Sequence, residues 1–372
     1  PNVWYRMPKW MWINENTDVF KKTDKMLFFE DLMGYILTGE RKVSYFSAAR
    51  SLAFDITKKE WNQELLDMAG IPASWLSEPV APFTVIGTIL PQMAEKLHLP
   101  ADLKVVVGGH DQSCAAFGSG LSGMSTGECG MGTCEFMFIM LPEPKMTPYM
   151  LKHDFTCIPY LLPDSFLSSL EITTCGILKN WARDTLFRDV VRECEREGRN
   201  FFEEMEQRAA AVDTEVLLLP QFGSSGNPEL SMDARGTIAG LSIHTKPEEI
   251  YRAILEGMAF QNYLAYEKLQ ELGTEMETIT ATGGGAASAL TLQIRADVFN
   301  MKVCTLNNDE SGTLGCMMMA AIADGAYASP AEAFSKAVKI SREFLPDPVR
   351  HSYYMKKYER YKKLYGLMHD FK

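Results

Sequence analysis

Apolar positions recur along this chain at two periods, one helical and one extended, and their alternation predicts an α/β protein. Residues 10–76 read mainly as helices and connecting loops, with helical spacing over 31–38 and Gly39 as its stop. An apolar strand at 103–107 breaks at Gly108 and Gly109 and opens a small-residue helix over about 112–120. Two or three short strands follow between 123 and 170, including the alternating run at 135–140. Next come a helix over about 176–187, a single acidic and basic helix over 188–211 and a strand at 215–220. A long helix over roughly 247–272 precedes a strand at 277–281. From 278 to 306 the order strand, glycine turn, helix, strand is that of a βαβ unit. Small residues at 120–125 mark the expected division of the chain in two.

Composition bounds what such a chain can do. With 372 residues, 46% of them hydrophobic and 23% charged, it can bury substantial cores and is long enough for two domains. A formal charge of −11 repels nucleic acid and anionic membranes at long range, so neither is expected as a partner. An anionic substrate would have to be held by local backbone dipoles. Eight cysteines lie scattered without a CxxC pair, which predicts reduced, mostly buried thiols and a cytoplasmic protein. No stretch approaches the roughly 20 apolar residues of a membrane helix. No signal peptide is recognisable, and the first residue is Pro1 rather than methionine.

Three turns carry candidate chemistry. Asp111 stands where the first glycine-broken strand hands over to its helix, with no Lys or Arg beside it in sequence. A lone acid in that place is suited to a general base, although Asp also caps helices. Downstream, Thr280 to Ser288 holds Gly283, Gly284 and Gly285 between a strand and a helix; bare amides and the helix dipole there favour a phosphate. The same glycines also permit a tight turn and nothing more. Gly283, Gly285 and Ser288 nearly spell a dinucleotide fingerprint, with Asp309 and Glu310 about twenty residues on, but its third glycine is absent. Between these turns, Gly132 and Thr133 offer an amide and a hydroxyl, the cradle that phosphoryl transfer requires; Gly-Thr is equally a common hairpin dipeptide.

Longer motifs bring these turns together. Gly236-Thr-Ile-Ala-Gly-Leu241 followed by Glu249 through Gly257 resembles, position by position, the C-terminal signature of the FGGY carbohydrate kinases, a family of the actin-like and ribonuclease-H-like ATPase superfamily. Gly108 through Gln112, Thr174 through Gly176 with Trp181 to Asp184, and Thr282 to Gly285 with Gln293 and Asp297 are similar as well. Lys9 through Asn16 looks like the other family signature, with Arg6 departing from the small residue ahead of it. The resemblance runs from about Trp4 to Tyr327 and implies a ribonuclease-H-like (actin-like ATPase) two-domain α/β fold with an interdomain cleft. It assigns 1–122 to the later part of the sugar-binding domain and 123–372 to the nucleotide-binding domain. It also implies that the first domain is incomplete, because the family's opening Asp-x-Gly-Thr-Thr strand and turn are not in this sequence, and that the chain alone phosphorylates poorly or not at all.

The roles implied carry over residue by residue. Asp111 matches the catalytic base and Gln112 a sugar-contacting neighbour, with His110 beside them and Trp4 as an aromatic wall against the polyol. Gly132 and Thr133 match the phosphate-contacting turn, and Gly176 and Asn180 match positions near the ADP phosphates and ribose. Gly284 and Ser288 match the adenosine site, Ser288 standing where some relatives have asparagine, and Gly283 and Gly285 of the same turn are expected to bind ATP with them. The expected reaction is ATP-dependent phosphorylation of a sugar or polyol hydroxyl, of the kind xylulose and fuculose kinases perform. Mg2+ would arrive with ATP, since no histidine pair has metal-ligand spacing. Oligomeric state stays open, a homodimer included. Two other classes remain: a non-catalytic actin-like ATPase switch, and a dehydrogenase-like dinucleotide binder. Met317 to Met319 are expected to fill core, and Tyr354, Tyr358, Tyr361 and Tyr365 to pack the last helix onto its own domain.

Overall fold

The computed structural model describes residues 5–141, 143–308 and 310–369. These form two units. The first runs to Ser122 and also takes in Cys157–Leu167 and Glu310–Val338; the second holds Gly123–Thr156, Ser168 to 308 and the chain from Lys339 onward. Two later stretches therefore pack into the first unit.

In the first unit the helix Met7–Asn16 buries Met7 and Trp10, and the Trp10 ring lies parallel to Phe28 at 6.0 Å. The helix Phe29–Thr38 ends at Gly39, whose φ of 81° closes it as the sequence predicts. Its start is held by the Asp31 carboxylate, which accepts from the Phe28 amide at 2.6 Å. Short strands then pair locally: Lys42–Ser44 with Glu78–Val80 in parallel, Val85–Thr88 with Lys104–Val106 antiparallel. The predicted glycine-broken strand is thus Lys104–Val106, and it leads into the helix Asp111–Gly118.

That helix is fixed by a second helix from far along the chain, Ser311–Ala323. A Cβ added to Gly118 would lie 1.8 Å from the Ser311 carbonyl oxygen, and one added to Gly315 would lie 2.0 Å from that of Cys114. The two helices therefore meet backbone to backbone, an approach only glycine permits. Met318 and Met319 are buried in this layer, but Met317 is 43% exposed, so core filling holds for two of the three methionines. They lie at neighbouring helical positions, and a helix turns about 100° per residue, so three in a row cannot all face inward.

The second unit is organised on a mixed sheet that takes its strands in the order Ile340–Phe344, Lys302–Leu306, Thr278–Thr282, Thr126–Met131, Glu135–Leu141, Phe166–Ile172. Thr278–Thr282 runs parallel to both neighbours, with Thr278 opposite Lys302 on one side and Thr126 on the other. The helix Ala289–Phe299 makes the crossover, which is the βαβ unit read from the sequence. The hairpin joining Thr126–Met131 to Glu135–Leu141 places Gly132, Thr133 and Cys134 at its tip.

The long helix Pro247–Gln270 is buried over most of its circumference, as expected for a helix within a layered core. Tyr354, Tyr358 and Tyr361 of the last helix, Pro348–His369, are buried in the same unit; Tyr354 accepts from Arg252 at 2.8 Å and Tyr361 donates to Gln261 at 2.7 Å. The predicted single helix over 188–211 is two. Arg188–Glu197 closes at Gly198, with φ 64°, and Asn200 then caps Phe201–Ala210 by accepting from the amides of Phe202 and Glu203. The charge pattern is continuous across the break, which hides it, whereas Gly198 and Asn200 are the stop and start signals in the sequence. All eight cysteines are free, five of them buried. Among the described residues no helix is long and apolar enough to cross a membrane.

Candidate active site

In the first unit the candidate base stands at a helix start. His110 occupies the N-cap position and Asp111 is the first helical residue. The Asp111 side chain is 83% exposed, and its Oδ1 lies 2.8 Å from His110 Nδ1 and accepts from the Gln112 amide at 2.7 Å. The Gln112 amide also lies 3.3 Å from His110 Nδ1, but one nitrogen cannot donate and accept at once. The shorter contact and the amide's bond to Asp111 place the proton on Nδ1, donated to the carboxylate. That hydrogen bond from His110 holds the Asp111 carboxyl below the usual carboxylate range. Asp111 is therefore ionised at neutral pH. Helix capping and availability coexist here, because one oxygen serves the helix start while Oδ2 takes no hydrogen bond among the described residues.

The His110 ring is itself held, stacked on Phe46 with centroids 5.2 Å apart. Phe46 belongs to the short helix Tyr45–Ala49 and has no motif to single it out in the sequence. Gly109 packs close to Leu161, 3.2 Å from where its Cβ would stand. Trp4, expected as an aromatic wall, lies outside the described residues, as does Asp309 of the dinucleotide alternative.

In the second unit the predicted phosphate and nucleotide turns come together around Met131. The Gly176 amide donates to the Gly132 carbonyl at 3.1 Å and the Cys175 amide to that of Thr133 at 3.1 Å, docking the start of the helix Gly176–Thr185 onto the hairpin tip. A Cβ on Gly176 would lie 2.7 Å from that Gly132 oxygen. On the other side, Gly285 would bring a Cβ to 2.7 Å from the Met131 side chain, and Gly283, at φ 77°, would bring one to 3.1 Å from the Met131 oxygen. Three turns from distant parts of the sequence thus share one small volume.

Which amides remain free there differs from the sequence reading. The Gly132 amide donates to the Cys134 carbonyl at 3.0 Å and is spent, whereas the exposed Thr133 still offers its amide and hydroxyl at the hairpin tip. Gly284 is exposed and nothing lies within 4 Å of its Cβ position, so its backbone faces open space. Asn180 is exposed one turn into its helix. Ser288 is buried and its hydroxyl is committed: it caps the helix Ala289–Phe299, accepting from the Thr291 amide at 3.1 Å and donating to the Thr291 hydroxyl at 2.8 Å. An exposed glycine turn with one unpartnered amide and hydroxyl beside it fits a nucleotide phosphate. Among the described residues no group of three or more His, Cys, Asp or Glu side chains could hold a metal ion.

Sequence reasoning missed the acids beneath these turns. Glu128 is fully buried, accepts from the Thr282 hydroxyl at 2.6 Å, and burial pushes its carboxyl up to about 8. Glu135 pairs with Arg295 in the same interior. Glu135 heads the apolar run 136–141, which was the available signal; Glu128 stands among Thr126, Gly127, Cys129 and Gly130, where nothing local marks it.

Residues 127–323 match the FGGY family of carbohydrate kinases, C-terminal domain, and residues 3–118 match the N-terminal domain of that family. The xylulose kinase of Bacillus subtilis is 27% identical over 365 residues, covering 97% of this chain and 70% of that protein. Among solved structures, a ligand-bound xylulose kinase from Lactobacillus acidophilus is similar with a TM-score of 0.88 at 25% identity, over 98% of this chain and 72% of that one. Gluconate kinase from the same organism gives 0.89 at 25% identity with the same coverage.

Proposed function

The chain belongs to the FGGY family of carbohydrate kinases, sugar phosphotransferases that use ATP, and from that premise we propose that Asp111 is its general base. Its fold is the two-domain, actin-like ATPase fold of those kinases. In the proposed reaction Asp111 Oδ2 takes the proton of a sugar or polyol hydroxyl as that oxygen attacks the γ-phosphorus of ATP, the bond from that phosphorus to the β,γ-bridging oxygen breaks, and ADP leaves with the electron pair. Gln112 and His110, with Trp4, contact the sugar. His110 keeps Asp111 ionised and aimed, so the acceptor is ready at neutral pH. Phosphoryl transfer leaves the protein mainly positioning and charge stabilisation to perform. Gly132 and Gly176 shape the phosphate turn, the Thr133 amide and hydroxyl meet phosphate oxygens, and Asn180 with Gly283, Gly284, Gly285 and Ser288 borders the nucleoside. Mg2+ arrives with ATP and neutralises phosphate charge.

The observation that carries this reading is the ionised, exposed carboxylate with one unused oxygen at the start of the Asp111–Gly118 helix. The relatives' names cover xylulose and gluconate, so the substrate class proposed is an open-chain polyhydroxylated sugar or sugar acid, xylulose first among those to test. Replacing Asp111→Asn is expected to lower the transfer rate by about 10²- to 10⁴-fold and leave the affinity for Mg·ADP unchanged. Measurable wild-type turnover that the variant equals would refute the base and favour an ATPase switch.

A further inference from the structure

One carboxylate in the second unit ties together all three nucleotide turns. Glu135 lies two residues beyond Thr133 and is fully buried. Its Oε2 receives Arg295 Nη2 at 2.5 Å and the Cys175 thiol at 3.4 Å; its Oε1 receives Asn262 Nδ2 and the Cys129 thiol at 3.4 Å. The donors come from four elements. Cys175 directly precedes Gly176, Arg295 is on the helix that follows Gly283–Ser288, Cys129 is in the strand entering the hairpin, and Asn262 is on the long central helix.

Stability alone is a poor explanation for such a pair. Arg295 is 1% exposed and Glu135 0%, and removing two charges from water costs several kcal/mol per ion, which a single contact does little more than offset. Apolar side chains of similar volume would hold the layers together at least as well. What they would lack is direction: a carboxylate that receives four donors from four elements accepts one arrangement of the hairpin, the Gly176 helix start and the helix after the glycine turn, although Arg295 itself meets it through Nη2 alone.

We propose that Glu135 and Arg295 are positioning residues for the nucleotide, setting the Gly132–Thr133 tip against the Gly283–Gly285 turn without touching the ligand. The inference rests on the nucleotide assignment made above. Its test is calorimetric titration of the full chain with Mg·ADP, together with KM values for ATP and sugar and thermal melting. The double variant Glu135→Gln, Arg295→Met removes both buried charges and is expected to melt close to wild type. Its Kd for Mg·ADP and its KM for ATP should rise about 10- to 100-fold, with KM for the sugar unchanged. Should the double variant not fold, Glu135→Gln and Arg295→Lys are measured singly, and the lysine, which keeps the charge, is expected to recover part of the affinity. A folded variant with wild-type nucleotide affinity overturns the positioning role. A wild-type chain that does not bind Mg·ADP overturns the nucleotide assignment itself.

Discussion

The substitution Glu128→Gln isolates the cost of one buried acid. Glu128 sits on the strand Thr126–Met131, fully buried, with one oxygen bonded to the Thr282 hydroxyl and the other without a partner among the described residues. Burial dominates and pushes its carboxyl from 4.5 to about 8. A folded value above the unfolded one means the native state keeps a proton that the unfolded chain has released. Glu128 therefore supports the fold fully below about pH 4.5, and its support is lost as pH rises through about 8. By pH 7 the unfolded chain has gained about two and a half decades of ionisation that the folded chain has not, and at about 1.4 kcal/mol per decade the penalty is roughly 3 kcal/mol. Glutamine copies the shape and donor of the protonated acid and cannot ionise. The variant should therefore match wild type at pH 4 and exceed it by about 3 kcal/mol at pH 7, measured by denaturant unfolding across that range. A stability difference that does not change with pH would refute the reasoning.

Gly118→Ala should destabilise the first unit by at least about 2 kcal/mol, since its Cβ would stand 1.8 Å from the Ser311 oxygen; an unchanged melting temperature would show that the two helices can separate at no cost. Lys357→Met should cost about 3 kcal/mol in chemical unfolding, because Lys357 donates to the Thr214 carbonyl at 2.6 Å and to Glu256, leaving that buried carboxylate with Arg252 alone. Cys316 is exposed, and the hydrogen bond with the Cys114 thiol lowers its own thiol to about 7, so iodoacetamide should label it before the other seven cysteines. Peptide mapping after brief treatment reads the order, and earlier labelling of another cysteine would contradict it. Because His110 holds Asp111 below the usual carboxylate range, the kinase rate should fall only in acid, beneath that range; a rate that drops near neutrality would assign the limiting ionisation to another group.

Much of this protein is written locally. The stop at Gly39, the long helix from Pro247, the parallel strands either side of Ala289–Phe299 and the glycine-bordered start of the Asp111 helix follow from periodicity and turn chemistry that neighbouring residues settle among themselves. The candidate chemistry was visible for the same reason, since Asp111, Thr133 and Gly283 to Gly285 each stand at a strand end that glycine keeps open. The break at Gly198 was also local, but a charge pattern running through it masked the stop.

What no window of sequence contains is partnership. That the Ser311–Ala323 helix lies backbone to backbone on the helix bearing Asp111 and that Phe46 braces His110 both depend on residues distant in sequence. The same is true of Glu135, whose four donors come from four elements and whose charge is tolerable only because Arg295, 160 residues away, is buried against it. Backbone preference and side-chain spacing act over a few residues and so are readable in order. Desolvation, close packing and hydrogen-bond closure act through space, and they are decided only when the chain has brought its parts together.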